Sequence, residues 1–390
     1  MATHDDPSHT LRPYEKVLRK IEFTPLPTGE ELETLLRVIN IYHPGYPNLP
    51  PLLSLHGSDG GGVHYSVAYY ACCIIAGNVW DDDEGRNGDT NVPYLSTSRD
   101  GPPIAVPSDD ILREKEYYFY VSKDQGDRYP VVPSFDYWVF PDKMPKPWRS
   151  LKASRDNETP DPSDEERYSP GGSAHMDSCR VTKSELAVDY ARLVPLSARS
   201  WFDRNRMRGY ATYISCPDAQ NSTCNVNPLK ADMHHMFDAS SLVLVPKPNP
   251  QAPGEHAMTV HVLRRAYVSD LGILDMTIRY HNLVCEPLKD APIEYHFARF
   301  AWSLFTDTVL QLFNEEHDVS FGLLLDRDFE TPGVRPNASG RSAVDRSGGF
   351  PKPRPRIPPP GQIEAEGYDS HTMLNGETFC LCGAGEKEEL

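Results

Sequence analysis

From Lys152 to Gly172 the chain reads KASRDNETPDPSDEERYSPGG, a stretch of Asp, Glu, Pro, Ser and Gly with hardly an apolar side chain. Such a composition cannot bury enough surface to order itself, so any core has to be assembled from the chain on either side of it. The sequence therefore predicts four parts: an N-terminal region over 1–150, a flexible linker over 151–172, a second folded region over 173–320, and a tail over 321–390. The tail is expected to be disordered, because RPNASGRSAVDRSGGFPKPRPRIPPPGQIEAEG is rich in Pro, Gly and Arg.

The apolar material for real cores is present, since 39% of the 390 residues are hydrophobic and 10% are aromatic. The 37 prolines and 26 glycines predict ordered islands joined by long loops. A formal charge of −17 excludes a protein that coats nucleic acid through its overall charge, because phosphate binding needs clustered Lys and Arg that release counterions. The eight cysteines form no CxxC pair, and Cys72 and Cys73 lie in the apolar run SVAYYACCIIAG, where thiols act as small core hydrophobes. MATHDDPSHT lacks a charged-then-apolar signal region, and no apolar run approaches the roughly 20 residues of a membrane span. These features predict an intracellular protein, cytoplasmic or nuclear, with no membrane partner.

Coarse periodicity gives an α+β fold class. Leu32, Leu35, Leu36 and Ile39 recur at helical spacing behind an acidic first turn, which predicts a helix through EELETLLRVINIYH. Tyr65 to Trp80 is a buried helix or paired strands, which periodicity alone does not separate in so short an apolar run. REKEYYFYVS and PSFDYWVF, rich in aromatics, read as β-structure. Short strands are expected near Cys179–Thr182 and Ala191–Val194, followed by a helix over about Leu229–Ser240 and an alternating segment around Val260 and Val262. Pro292 opens a long helix carrying Ile293, Phe297, Phe300, Ala301, Leu304, Phe305 and Leu312 on one face.

The chemistry-bearing residues cluster in the second region. On the predicted helix Met233, Met236 and Phe237 share an apolar face, while His234 and Asp238, four apart, share another. A histidine and an aspartate so placed are able to share a metal ion, or the carboxylate orients the imidazole; plain helix stabilisation is the alternative. The order CRVT, ARLVP at Ala191–Pro195, and N-x-x-x-L-K-x-D-x-H-x-x-F-D formed by Asn225, Leu229, Lys230, Asp232, His234, Phe237 and Asp238 resembles the HNH nuclease domain of fungal proteins. In that family two short strands and a helix hold one metal ion against a phosphodiester.

The resemblance covers 178–250 through the motif and 255–316 through the helix in APIEYHFARFAWSLF. It implies an HNH ββα-metal module with a helical cap over 173–320, behind a family-specific N-terminal α+β region. It also implies that Asn225 orients the loop beside the catalytic strand. His234 supplies the third letter of the motif and, with Asp238 and Asp232, would hold a divalent metal such as Mg, Mn or Zn.

The family form AH(I/L)VP places its first histidine where this chain has Arg192. An HNH site needs a histidine that deprotonates water and a metal that stabilises the leaving oxygen. A guanidinium stays protonated far above physiological pH, so Arg192 suits holding a phosphate and not abstracting a proton. The resemblance thus implies a degenerate pseudonuclease. The alternatives are an active metal-dependent DNA or RNA endonuclease in which His235 or His175 substitutes as base, and a protein-interaction scaffold.

Arg192, Arg199, Arg204, Arg206 and Arg208 face a single acid, Asp203, between residues 192 and 210. This stretch is either a phosphate-facing patch giving weak nucleic-acid binding or a solvated charged surface. Cys179, Cys216 and Cys224 match no zinc-binding spacing and read as structural thiols. The Gly-rich LLSLHGSDGGG has the form of an oxyanion-hole turn, but the chain has no G-x-S-x-G elbow, so a turn before a buried segment is expected there.

Overall fold

Helices and strands mix irregularly along the chain, in the α+β class expected. A computed structural model describes residues 28–46, 48–80, 92–122, 128–156, 178–211, 218–249, 251–263, 270–286, 291–314, 322–325 and 342–345. The first half holds α1 (Glu30–Leu35), β1 (Val38–Tyr42), β2 (Leu53–His56), β3 (Val63–His64), α2 (Tyr65–Ile75), β4 (Tyr94–Ser96), β5 (Ile111–Leu112), β6 (Glu116–Tyr120) and α3 (Lys146–Asp156). Next come β7 (Val188–Arg192), α4 (Arg199–Arg204), β8 (Val226–Lys230), α5 (Ala231–Asp238), β9 (Leu242–Pro248) and β10 (His256–Val262). Then follow α6 (Asp270–Tyr280), α7 (Ile293–Leu304), β11 (Gly322–Leu325) and β12 (Ser342–Asp345).

The largest sheet has the order β2-β1-β6-β4, with β1 antiparallel to β2 and parallel to β6, and β4 antiparallel to β6. Its central strand corrects the first sequence expectation, because the helix opening at Glu30 stops at Leu35 and VINIY becomes β1. Val38, Ile39 and Ile41 are β-branched and suit a pleated surface. Ile39 and Ile41 are fully buried, whereas Val38 is exposed, the alternation of a strand with one face on the core. The undecided run after Tyr65 is the helix α2, buried from Val67 to Ile75 apart from Tyr70. It ends at Gly77, whose φ of 89° suits a glycine stop. PSFDYWVF is not a strand: Phe135–Tyr137 form a 3-10 turn that delivers Phe135 and Trp138 to the interior.

The expected linker does not mark a seam. Helix α3 runs through Asp156, so the start of the predicted 151–172 linker is helical, and it packs on β9, β10 and α7. The remainder, residues 157–172, lies outside the described residues. One contiguous buried core joins residues from both sides, including Ile39, Phe119, Trp138, Trp201, Val260 and Phe297. Helix α7 is no peripheral cap, because eleven of its residues, Ile293 to Ala301 and Ser303–Leu304, are buried, the polar Glu294, His296 and Arg299 among them. It contacts α2, α3 and β9 and serves as a central helix of the body. Within the predicted tail, β11 and β12 pair antiparallel, and Leu323 bridges to Val131; most of 321–390 lies outside the described residues.

The aromatic joint between the two halves is specific. Trp201 on α4 stacks on Trp138 with ring centroids 5.5 Å apart, and its indole N–H donates to the Trp138 carbonyl at 2.6 Å. Phe135 lies 4.3 Å from the same ring, and Phe297 of α7 lies 5.9 Å from Trp138. Trp201 is wholly buried, so Trp201→Ala is expected to cost about 3–5 kcal/mol of stability. Urea denaturation followed by circular dichroism checks this; a loss below about 1 kcal/mol would show that this cluster does not join the halves.

Candidate functional site

Strands β7 and β8 pair antiparallel, from Val188 opposite Lys230 to Arg192 opposite Val226. Helix α5 starts immediately after β8 and packs back on both strands. The second strand of this unit is not the expected 179–182 segment. There the chain makes a tight turn: the Lys183 N–H donates to the Cys179 carbonyl and the Cys179 N–H to that of Ser184, both at 2.8 Å, with Lys183 at φ 60°. A left-handed residue ends any extended run, so CRVT only touches β8, through the Arg180 N–H to the Pro228 carbonyl. Helix α5 is shorter than the predicted 229–240 but has the predicted faces, with Met233, Met236 and Phe237 buried.

Asn225 is fully buried and pins two segments at once. Its Oδ1 accepts from the Val194 N–H at 2.8 Å, while its Nδ2 donates to the carbonyls of Val194 at 2.8 Å and Gln220 at 2.7 Å. An amide side chain offers two N–H donors beside an oxygen acceptor, and all three are used here. Arg192, at the end of β7, donates from a terminal nitrogen to Asn221 Oδ1 at 2.8 Å.

His234 sits between two carboxylates. Its Nε2 lies 3.1 Å from Asp238 Oδ2, one turn along the helix, and its Nδ1 lies 3.5 Å from Asp189 Oδ2 on β7. Burial opposes charge on the ring, but the two carboxylates outweigh it and raise the imidazole above its ordinary pKa. Burial likewise raises Asp238, yet His234 and Arg299 hold it below the usual carboxylate range. Arg299 reaches this point from α7, with its guanidinium 4.1 Å above the Phe237 ring and 3.8 Å from Asp238 Oδ1. Asp189 had no sequence signal: it lies 45 positions from His234 and meets it only because the hairpin folds back.

The other predicted residues disperse. Asp232 turns to the Tyr280 hydroxyl at 2.5 Å and to Lys230 Nζ at 3.1 Å. His234, Asp238 and Asp232 therefore do not converge as a three-ligand set, and the metal limb implied by the resemblance is not assembled from them. Arg199 is engaged by Asp218 at 2.7 Å and Asp203 at 3.4 Å, and Arg204 donates to the Asp136 carbonyl at 2.6 Å. Arg206 and Arg208 line an open depression with Phe202, Asp203 and Gly209. His235 is exposed at the end of α5. Cys179 and Cys224 are buried free thiols, while His175 and Cys216 lie outside the described residues.

Among the described residues one group of three side chains has its ligand atoms mutually within 4.8 Å, a spacing able to hold a metal ion: Asp59, His261 and His281. All three are buried. Sequence reasoning missed the group because Asp59 lies more than 200 positions before both histidines, in a segment with the form of a Gly-rich turn. No described helix is long and apolar enough to cross a membrane. No family model, curated protein or solved structure matches the chain.

The raised His234 pKa has a definite sign for stability. Because the folded value exceeds the unfolded value of about 6.5, the ion pairs stabilise fully below that pH and their contribution is lost as pH rises through the folded pKa. NMR titration is expected to find His234 above its ordinary value and to find it lowered in Asp238→Asn. A ring that titrates normally, or one that Asp238→Asn leaves unmoved, would contradict the carboxylate bracket.

Proposed function

We propose that this chain is a degenerate HNH-type pseudonuclease, with β7, β8 and α5 as its strand–strand–helix frame and Asn225 as the asparagine that holds the adjoining loop. The observation that carries the reading is Arg192. It occupies the place of the base, and its guanidinium is engaged by Asn221. General-base catalysis requires a group that sheds its proton near neutral pH, and a guanidinium does not. The engagement of Asp232 by Tyr280, away from the His234–Asp238 pair, supports the same reading, since the three do not form a metal limb.

Incubation of the full chain with plasmid, single-stranded DNA and RNA under Mg²⁺, Mn²⁺, Zn²⁺ or EDTA is expected to give no cleavage. Arg192→His alone is expected to remain inactive, because Asp232 stays bonded to Tyr280 rather than joining His234 and Asp238. EDTA-sensitive nicking by the wild type that vanishes in His234→Ala would sink the pseudonuclease reading.

Any remaining affinity for nucleic acid rests on few residues. Arg199 and Arg204 are engaged by protein groups, and Arg206 and Arg208 line an open depression, the surface on which the phosphate contacts are proposed. Against a net charge of −17, two such contacts predict binding only at low ionic strength, with a log–log salt slope of roughly −1.4 for single strands. Polarization of a labelled oligonucleotide from low to physiological salt tests this, with Arg206→Ala/Arg208→Ala expected to abolish the signal. No binding at any salt would make a protein-interaction scaffold the better account.

A further inference from the structure

Asp59 on the loop between β2 and β3, His261 on β10 and His281 just after α6 form the metal-like group described above. By spacing alone it suits a divalent cation of the zinc class, which takes imidazole and carboxylate ligands. The hydrogen bonds decide otherwise. His281 Nδ1 faces the Val262 backbone N–H at 3.1 Å and so has to be the acceptor of the ring. Its Nε2 then carries the proton and donates it to Asp59 Oδ1 at 2.8 Å. A neutral imidazole in that tautomer has no lone pair left at Nε2 for a metal.

Asp59 is equally committed. Its Oδ1 also accepts from Lys247 Nζ at 3.2 Å and from Asn282 Nδ2 at 3.0 Å, and its Oδ2 accepts from the His64 N–H at 3.0 Å. Lys247, wholly buried on β9, donates further to Asn282 Oδ1 at 2.6 Å. A full positive charge therefore already stands within hydrogen-bond distance of the carboxylate, and a dication placed beside it would be repelled in a medium that screens poorly.

We infer that Lys247 is the resident cation of this cluster: its ammonium neutralises Asp59 in the place where a metal ion would do so, and the fold is complete without a metal. One observation stands on the other side. Among the described residues neither ring nitrogen of His261 has a hydrogen-bond partner, and its Nδ1 lies 3.9 Å from Asp59 Oδ2. A buried imidazole in that state is accounted for by an ordered water as well as by an ion, so the experiment has to separate the two.

Elemental analysis of the purified full chain is expected to find no stoichiometric metal at this site, and its melting midpoint is expected to be unchanged by EDTA or phenanthroline. One retained equivalent of metal, or a midpoint lowered by chelator, overturns the inference. Charge pairing is tested separately. Lys247→Met is expected to lower the midpoint by roughly 10 °C, because it strands a buried carboxylate, and Asp59→Asn should lower it as well. The double variant Asp59→Asn/Lys247→Met removes both charges and is expected to recover more than half of the summed loss. Additive losses, or a double variant that fails to fold, would show that the two groups do not neutralise each other.

Discussion

A carboxylate shut away from water has to be compensated inside the protein or it does not stay ionised. Asp59 is such a group. Burial pushes its pKa up, but Lys247 and His281 hold it well below the usual carboxylate range. The compensation comes from three places in the chain, namely Lys247 on β9, His281 and Asn282 just after α6, and the backbone of His64 at the end of β3, so the network fixes the loop between β2 and β3 onto the later half of the fold. Backbone contacts run along the same seam: the His56 N–H donates to the Leu263 carbonyl, and the Ser58 hydroxyl to that of Val262. The loop itself requires Gly61, which has φ 80° and a position where a Cβ would come within 2.5 Å of the Thr34 side chain. A charged pair thus dictates a tight glycine turn and a continuous core across a segment whose composition suggested a boundary.

The parts of the fold that were legible in the sequence are those fixed by local chemistry. Pro292 does precede a helix, although it ends at Leu304, short of the expected Phe305 and Leu312, and Met233, Met236 and Phe237 do form the buried side of α5. What local patterning missed are effects of tertiary context. Leu35 and Ile39 have helical spacing in sequence, yet Ile39 belongs to a strand because it pairs with Leu55 on β2. PSFDYWVF has strand composition, but its aromatics are used to fill the joint with Trp201 and Phe297. The charged groups on α7 were invisible as core residues, since no periodicity announces that Glu294 will meet Lys152 at 2.6 Å or that Arg299 will lie over Phe237.

The candidate site was half legible for the same reason. His234 and Asp238 are four apart on one helix, so their contact follows from helical geometry. Asp189 and Arg299, which complete their surroundings, come from a strand and a helix far away in sequence. The missing residue of the resemblance, the base, could be read from Arg192 directly. The failure of Asp232 to join the set could not, because it depends on Tyr280 arriving at the end of α6.

This arrangement bears on how motif letters persist in a frame proposed to lack the chemistry they usually signal. Asn225 makes three side-chain hydrogen bonds that hold the chain after β7 to the loop before β8. Replacing it with an apolar side chain would leave buried backbone groups unpaired, at a cost of about 1–3 kcal/mol for each. Asp238 is tied to Arg299, whose guanidinium also donates to the Phe237 carbonyl in the core. Both residues therefore have structural work that is independent of any phosphodiester. Arg192 differs, because among the described residues its side chain makes one hydrogen bond, to Asn221 at the end of a strand, which places little demand on the fold. Under the proposed reading, the position that chemistry alone would constrain is the one that departs from the family form, the pattern expected of a scaffold kept without its reaction.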